Sequence, residues 1–229
     1  MATILNIDTS TRVCSVALSS DGMIMHHCEN FDGMNHATLL SGFIKECLDK
    51  LAEHEMKLDA IAVSMGPGSY TGLRIGLSEA KGLAYALDVP LIGIDTLMLM
   101  AVHIMFNVDV EPDALFAPMI DARRMEVYTA VYDMKLDALT EATPLILDGD
   151  SYERYAGGAK VYYGGDGSDK AREVISYPNF VWVPDVYPLA VDMPALADRA
   201  YSDGNFLDLA YSTPNYLKEY QATKPKKLF

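Results

Sequence analysis

The chain is short of several things, and each shortage closes off a class of protein. It has three cysteines, Cys14, Cys28 and Cys47, with no Cys-x-x-Cys pair among them. Three cannot all pair with one another, which argues against a disulfide framework and fits buried thiols in a reducing cytosol. Basic residues are scarce: 18 Lys and Arg stand against 32 Asp and Glu, for a net charge of −14. A protein that grips nucleic acid unaided needs a basic face to neutralise phosphates, so the composition speaks against that role. The one basic concentration, Lys218 and then Lys224-Pro-Lys-Lys227, reads as a solvated terminus. The longest apolar run, from Thr96 to Val108, contains His103 and Asn107 and is too short to span a bilayer. It reads as a core helix. The first residues carry no basic segment and lead straight into an expected strand, unlike a signal peptide. A soluble cytoplasmic protein is expected.

What is present is half hydrophobic over 229 residues, enough for one large domain or two lobes. Alternation predicts strands over 3–8, 13–19 and 23–28, joined by a hairpin turn at Asp21-Gly22, so the first sheet should be mixed. A helix over 37–54 places Leu40, Phe43, Ile44, Cys47 and Leu51 on one face, more apolar surface than one side needs. A strand over 60–64, a helix over 73–87, a strand over 91–94 and a helix over 96–106, capped by Asp95 or Thr96, follow. The second half repeats the order, with strands at 115–120, 126–132, 160–163 and 180–183. Its helices fall after Gly164-Gly-Asp-Gly167 and over 189–201. Two related α/β lobes are therefore expected, residues 1–106 and 107–229, with a linker near 107–113.

Between the strand at 60–64 and its helix lies Met65-Gly-Pro-Gly-Ser-Tyr-Thr-Gly-Leu-Arg-Ile-Gly76. Glycines at 66, 68, 72 and 76 permit close backbone approach where a helix begins, which can cradle an anion. No Gly-Lys-Ser/Thr closes the segment, so it is not a P-loop. A purely structural reading is equally open: the glycines let the helix pack flat on the sheet. On that helix Leu73, Leu77, Ala80, Ala84 and Leu87 should face the core. Ser78, Gly82 and Ala86 form a neighbouring stripe of small residues that another helix could approach.

Two such lobes with Asp8-Thr9-Ser10 after the first strand resemble the actin, Hsp70 and sugar-kinase (ASKHA) superfamily. That likeness implies a phosphate clamp from Asp8, Thr9 and Ser10, with Gly165 and Gly167 of the second lobe. The matching second-lobe turn, Asp121-Ala-Arg-Arg124, has no glycine, so half of the clamp is missing. Arg123 and Arg124 are expected in salt bridges. The wording of Ile7-Asp-Thr-Ser10, the glycine segment, Gly82-Leu-Ala-Tyr-Ala-Leu87, Val89-Pro-Leu-Ile-Gly-Ile-Asp-Thr-Leu97, Asp121-Ala-Arg-Arg-Met-Glu-Val-Tyr128 and Pro214-Asn-Tyr-Leu217 is similar to the TsaB (YeaZ) family. The likeness is dense over residues 1–130 and thin afterwards.

The resemblance implies an accessory subunit of the bacterial machinery that makes threonylcarbamoyladenosine on tRNA. In that family the catalyst is the paralogue TsaD (Kae1), whose metal is held by a His-x-x-x-His pair on a helix. At that position this chain has Thr96 and Met100, and a hard ion has no use for a thioether. The resemblance thus implies no catalytic residue, no metal and no cofactor beyond weak ATP or ADP. It implies pairing with TsaD, recruitment of the ATPase TsaE, contact with tRNA only through the complex, a possible homodimer, and no membrane. The implied interface is Leu40, Phe43, Ile44, Cys47, Leu51, Ser78, Gly82 and Ala86.

The remaining histidines are read as structural. His26 and His27 are adjacent on a strand and point apart, His36 sits at a helix start and His54 at its end, and His103 lacks a partner at i±4. Two other readings stand beside the scaffold. One is an ATP-binding kinase-like enzyme using Asp8, Ser10 and the 164–167 turn. The other is a metal-dependent glycoprotease-like peptidase, which the Thr96/Met100 pair disfavours.

Overall fold

The computed structural model, which describes residues 2–33 and 35–218, opens with a meander of β1 (Thr3–Asp8), β2 (Cys14–Ser20) and β3 (Met23–Asn30). Helix α1 (His36–Glu53) then carries the chain to β4 (Ala60–Gly66), which runs parallel to β1 with Ile4 opposite Ala60. Helix α2 (Tyr70–Leu87), β5 (Leu91–Asp95) and α3 (Thr96–Asn107) complete the first half. The second half holds β6 (Leu115–Asp121), β7 (Glu126–Thr129), β8 (Thr143–Ile146), β9 (Val161–Gly164), α4 (Ser168–Val174), β10 (Phe180–Trp182) and α5 (Pro194–Ser202). Single 3-10 turns lie at Glu153–Tyr155 and Ala190–Asp192.

The two sheets share one topology. Their orders are β3-β2-β1-β4-β5 and β8-β7-β6-β9-β10, each an antiparallel meander whose first strand pairs in parallel with the fourth. The helices between matching strands have not been kept equally. α1 and α2 have 18 residues each, whereas their second-lobe counterparts are a 3-residue turn and the 7-residue α4. β8 escaped the sequence reading because its four residues include Pro144 and have no buried position. The expected strand over 126–132 is cut short: Tyr132 leaves β7's ladder and bridges instead to Phe116 and Ala138.

Period-2 alternation explains the layers. Leu5, Ile7, Ile61 and Val63 face α1 and α2, while Ile4, Ala60, Ala62 and Ile92 face α5 and Leu99 of α3. α3 is buried on both sides: Leu97, Met100, Ala101 and Ile104 pack on the second sheet through Phe116 and Ile120. Its side-chain cap is Asp95, which accepts from the Met98 N–H at 2.8 Å and from the Tyr132 hydroxyl of the second lobe at 3.1 Å.

The division at residue 107 needs correction. Met193 and Ala197, at and within α5, belong to the first lobe's core, and Leu207 and Leu209 beyond them pack on it as well. The Leu207 N–H donates to the Leu91 carbonyl at 2.8 Å, and the Asn215 N–H to that of Met65 at 2.6 Å. The Pro214-Asn-Tyr-Leu217 element thus lies on the glycine segment. Lys218 is not simply solvated, since it pairs with Glu126; residues 224–227 of the expected basic tail lie outside the described residues.

Candidate functional site

The start of α2 is filled by the chain itself. Ser69 caps the helix by accepting the Gly72 N–H at 3.2 Å, and its own N–H donates to the Ser10 carbonyl at 2.7 Å. A Cβ on Gly68 would stand 2.3 Å from the Ser10 carbonyl oxygen, one on Gly72 would stand 2.1 Å from that of Thr9, and one on Gly76 would stand 2.3 Å from Thr9 Oγ1. These glycines are required because the Asp8–Thr11 turn presses onto the helix. The structural reading of the segment is the correct one at these three positions.

The hydroxyls of that turn are also committed. Thr9 Oγ1 donates to the Gly72 carbonyl at 2.8 Å. Asp8 is fully buried and accepts from the Ser10 N–H and hydroxyl and from the Ser64 hydroxyl. Burial raises its pKa to about 6, against the lowering by these hydrogen bonds. Gly165 and Gly167 serve packing too: a Cβ on Gly165 would meet the Met119 carbonyl at 2.2 Å, and one on Gly167 would meet Val127 at 2.8 Å. Asp8, Thr9 and Ser10 thus use their side-chain oxygens for bonds within the first lobe, while the two glycines pack against Met119 and Val127 of the second.

Thr96 and Met100 close the junction. Thr96 is fully buried and its Oγ1 accepts the Gly66 N–H at 3.1 Å, while the Met100 methyl would lie 2.5 Å from a Cβ on Gly165. Met100 of the first lobe thus packs on the Gly164–Gly167 turn of the second. In the second lobe Arg123 and Arg124 adopt left-handed φ angles of 71° and 50° and are exposed. The salt bridge of this turn is made by Asp121 with Lys170, not by either arginine as expected.

The open surface lies on α2. Ser78, Gly82 and Ala86 are exposed, and a Cβ on Gly82 would meet nothing within 4 Å. Tyr85 beside them is 82% exposed. Two shallow grooves border this face at its N-terminal half. One, of about 480 Å³, runs toward Ala37 of α1, and the other, of about 200 Å³, toward Pro214 and Tyr216. Arg74 and Ser78 line both.

Two expectations are corrected. Leu87 is half exposed rather than in the core, because it sits on the last turn beside the left-handed C-cap Asp88. Leu40, Ile44, Cys47 and Leu51 are buried against the first sheet and offer nothing outward. Of the α1 residues expected at an interface, Phe43 alone is partly open. The apolar face of α1 is therefore not surplus.

The histidines are placed as follows. His36 Nε2 bonds the Thr11 carbonyl at 2.7 Å, and His103 Nδ1 pairs with Asp192 at 2.7 Å. His26 is not isolated, since Cys28 and Glu46 lie beside it. The signal for that group was present as His-x-Cys on a strand, but only the fold brings Glu46 to it.

Two lobes of one repeated β topology, with a hydroxyl-bearing turn after the first strand, define a protein of the actin/Hsp70/sugar-kinase class. Residues 32–224 match the family model of TsaD, tRNA N6-adenosine threonylcarbamoyltransferase. The chain belongs to the TsaB (YeaZ) family, the paralogues of TsaD. It is 40% identical over 129 residues to the tRNA threonylcarbamoyladenosine biosynthesis protein TsaB of Escherichia coli, covering 56% of this chain and 54% of that one. With TsaB of Bacillus subtilis it is 34% identical over 142 residues, covering 62% and 60%. The chain thus spans little more than half the length of these curated relatives. YeaZ of Pseudomonas aeruginosa superposes with a TM-score of 0.80 at 28% identity, over 95% of this chain and all of that one. A second structure, described as similar to peptidase YeaZ of the same organism, gives 0.83 at 28% identity over the same shares.

Proposed function

We propose that the chain is a non-catalytic scaffold subunit of the tRNA threonylcarbamoyladenosine machinery. It pairs with TsaD through the exposed face of α2, recruits TsaE, and meets tRNA only as part of that complex, in the cytoplasm. The observation that carries this reading is the stripe Ser78, Gly82 and Ala86, small and exposed, with open space above Gly82, on a helix whose other side is anchored in the core. Small residues at helical spacing let a second helix approach closely. In the absence of TsaD a second copy of the chain takes the same face. The names of the E. coli and B. subtilis relatives support the pathway.

The chain itself carries no catalytic residue and holds ATP or ADP weakly at most. Asp8, Thr9 and Ser10 are engaged within the protein, so a phosphate would have to displace several internal hydrogen bonds. No helix of the described residues is long and apolar enough to cross a membrane.

The test is Gly82→Trp and Ala86→Trp, mixed with TsaD from the same cell and measured by light scattering on a sizing column. A lost one-to-one complex with an unchanged melting temperature is expected. A heterodimer that survives both substitutions overturns the reading.

A further inference from the structure

β3 is the outermost strand of the first sheet, and residues two apart on it share a face. His26 and Cys28 therefore point together, toward α1, and His27 points away. Glu46 of α1 completes a group of three donors. Cys28 Sγ donates to Glu46 Oε2 at 3.3 Å and lies 3.6 Å from His26 Nε2, and His26 Nε2 is 3.9 Å from Glu46 Oε2. All three ligand atoms lie within 4.8 Å of one another. Ligands held at roughly 2.0–2.3 Å around a tetrahedral zinc ion stand about 3.3–3.8 Å apart. The three separations are close to the edges of one face of that tetrahedron.

The chemistry of the donors agrees with the spacing. Thiolate, imidazole and carboxylate together suit a borderline-soft divalent cation, and two of the three are anionic when they ligate. The neighbouring α1 lysines are turned to other partners, Lys45 to Asp49 and Lys50 to Glu53. The Glu46 side chain is 61% exposed and that of His26 28%, so an ion has a path from solvent.

We infer that His26 Nε2, Cys28 Sγ and Glu46 Oε2 form a binding site for a zinc-class divalent ion, with solvent in the fourth position. The site is separate from the α2 face and from the lobe junction, and it does not depend on the scaffold reading. Bound there, the ion ties the edge strand β3 to α1. Burial and the Glu46 charge push the Cys28 thiol up to about 11. The thiol is thus protonated in the ion-free protein, and binding releases its proton to solvent.

The experiment uses the full chain after chelator treatment. Zn²⁺ is titrated against a chromophoric competitor, and Co²⁺ is used as a spectroscopic substitute. One equivalent of zinc is expected, with a thiolate-to-cobalt charge-transfer band that Cys28→Ser abolishes. Glu46→Gln, an exposed substitution that leaves the core intact, should weaken zinc binding about tenfold or more. His27→Gln, on the opposite face, should bind as the unsubstituted chain does. Zinc should raise the melting temperature of the unsubstituted chain and leave that of Cys28→Ser unchanged. Absence of bound zinc at micromolar free ion, or affinity unchanged by Glu46→Gln, overturns the site.

Discussion

Asp8 shows how a single residue can change meaning between sequence and structure. Placed after the first strand, it reads as a phosphate clamp; folded, it is a buried acceptor for Ser10 and Ser64. Its pKa of about 6 lies above the ordinary 3.8. A carboxyl whose pKa is raised on folding holds its proton more tightly in the folded state. Its stabilising contribution is therefore complete below about pH 4 and is lost, by roughly 3 kcal/mol, as pH rises through about 6. Asp8→Asn should flatten this part of the stability profile, measured as urea midpoints between pH 4 and 7. An unaltered profile would mean that burial does not set the pKa. Arg123, at φ 71°, stands where an L side chain is strained. Arg123→Gly should stabilise the protein by about 1 kcal/mol in chemical denaturation.

At the scale of the element, α2 separates its glycines by role. A Cβ on Gly72 or Gly76 would strike the Asp8–Thr11 turn, and one on Gly82 would meet nothing within 4 Å. Gly72→Ala forces a Cβ against a backbone oxygen and should cost about 3 kcal/mol or more. Gly82→Ala should stabilise by up to about 1 kcal/mol, the ordinary difference in helix propensity. Opposite signs in thermal melts of the two variants are expected; similar losses in both would place Gly82 in a contact as well. The periodicity of α2 was legible, as Leu73, Leu77, Ala80 and Ala84 are all buried. Its start was not, because the cap Ser69 lies inside a segment whose glycines look like a loop. For α1 the same pattern reading overstated the surface: four of its five apolar residues are used by the sheet. Pattern counts apolar positions, but only the neighbouring sheet shows how many it covers.

At the scale of the whole molecule the two lobes are not independent. α3 packs on both sheets, α5 returns from the second half to the first, and Asp95 bonds Tyr132 across the junction. The Ala190 N–H donates to Ser15 Oγ at 2.9 Å, again between halves of the chain. Shared cores unfold together, so calorimetry should show one cooperative transition, and two resolved transitions would contradict this packing. A chain ended at residue 189 lacks α5 and leaves Ile4, Ala62 and Ile92 uncovered. It should lose that cooperative transition, as followed by circular dichroism.

The sequence by itself determined the class of fold, the order of nearly all strands and helices, and the family. These follow from local periodicity and from motif wording, which need no knowledge of distant contacts. The tertiary structure decided the rest. It turned Asp8, Thr9 and Ser10 inward, placed Met100 at the lobe junction, and brought residues 193–217 back onto the first lobe. It set Glu46 of α1 beside His26 and Cys28 of β3. Each of these depends on which surfaces meet, and residues far apart in the chain carry no local signal of their meeting.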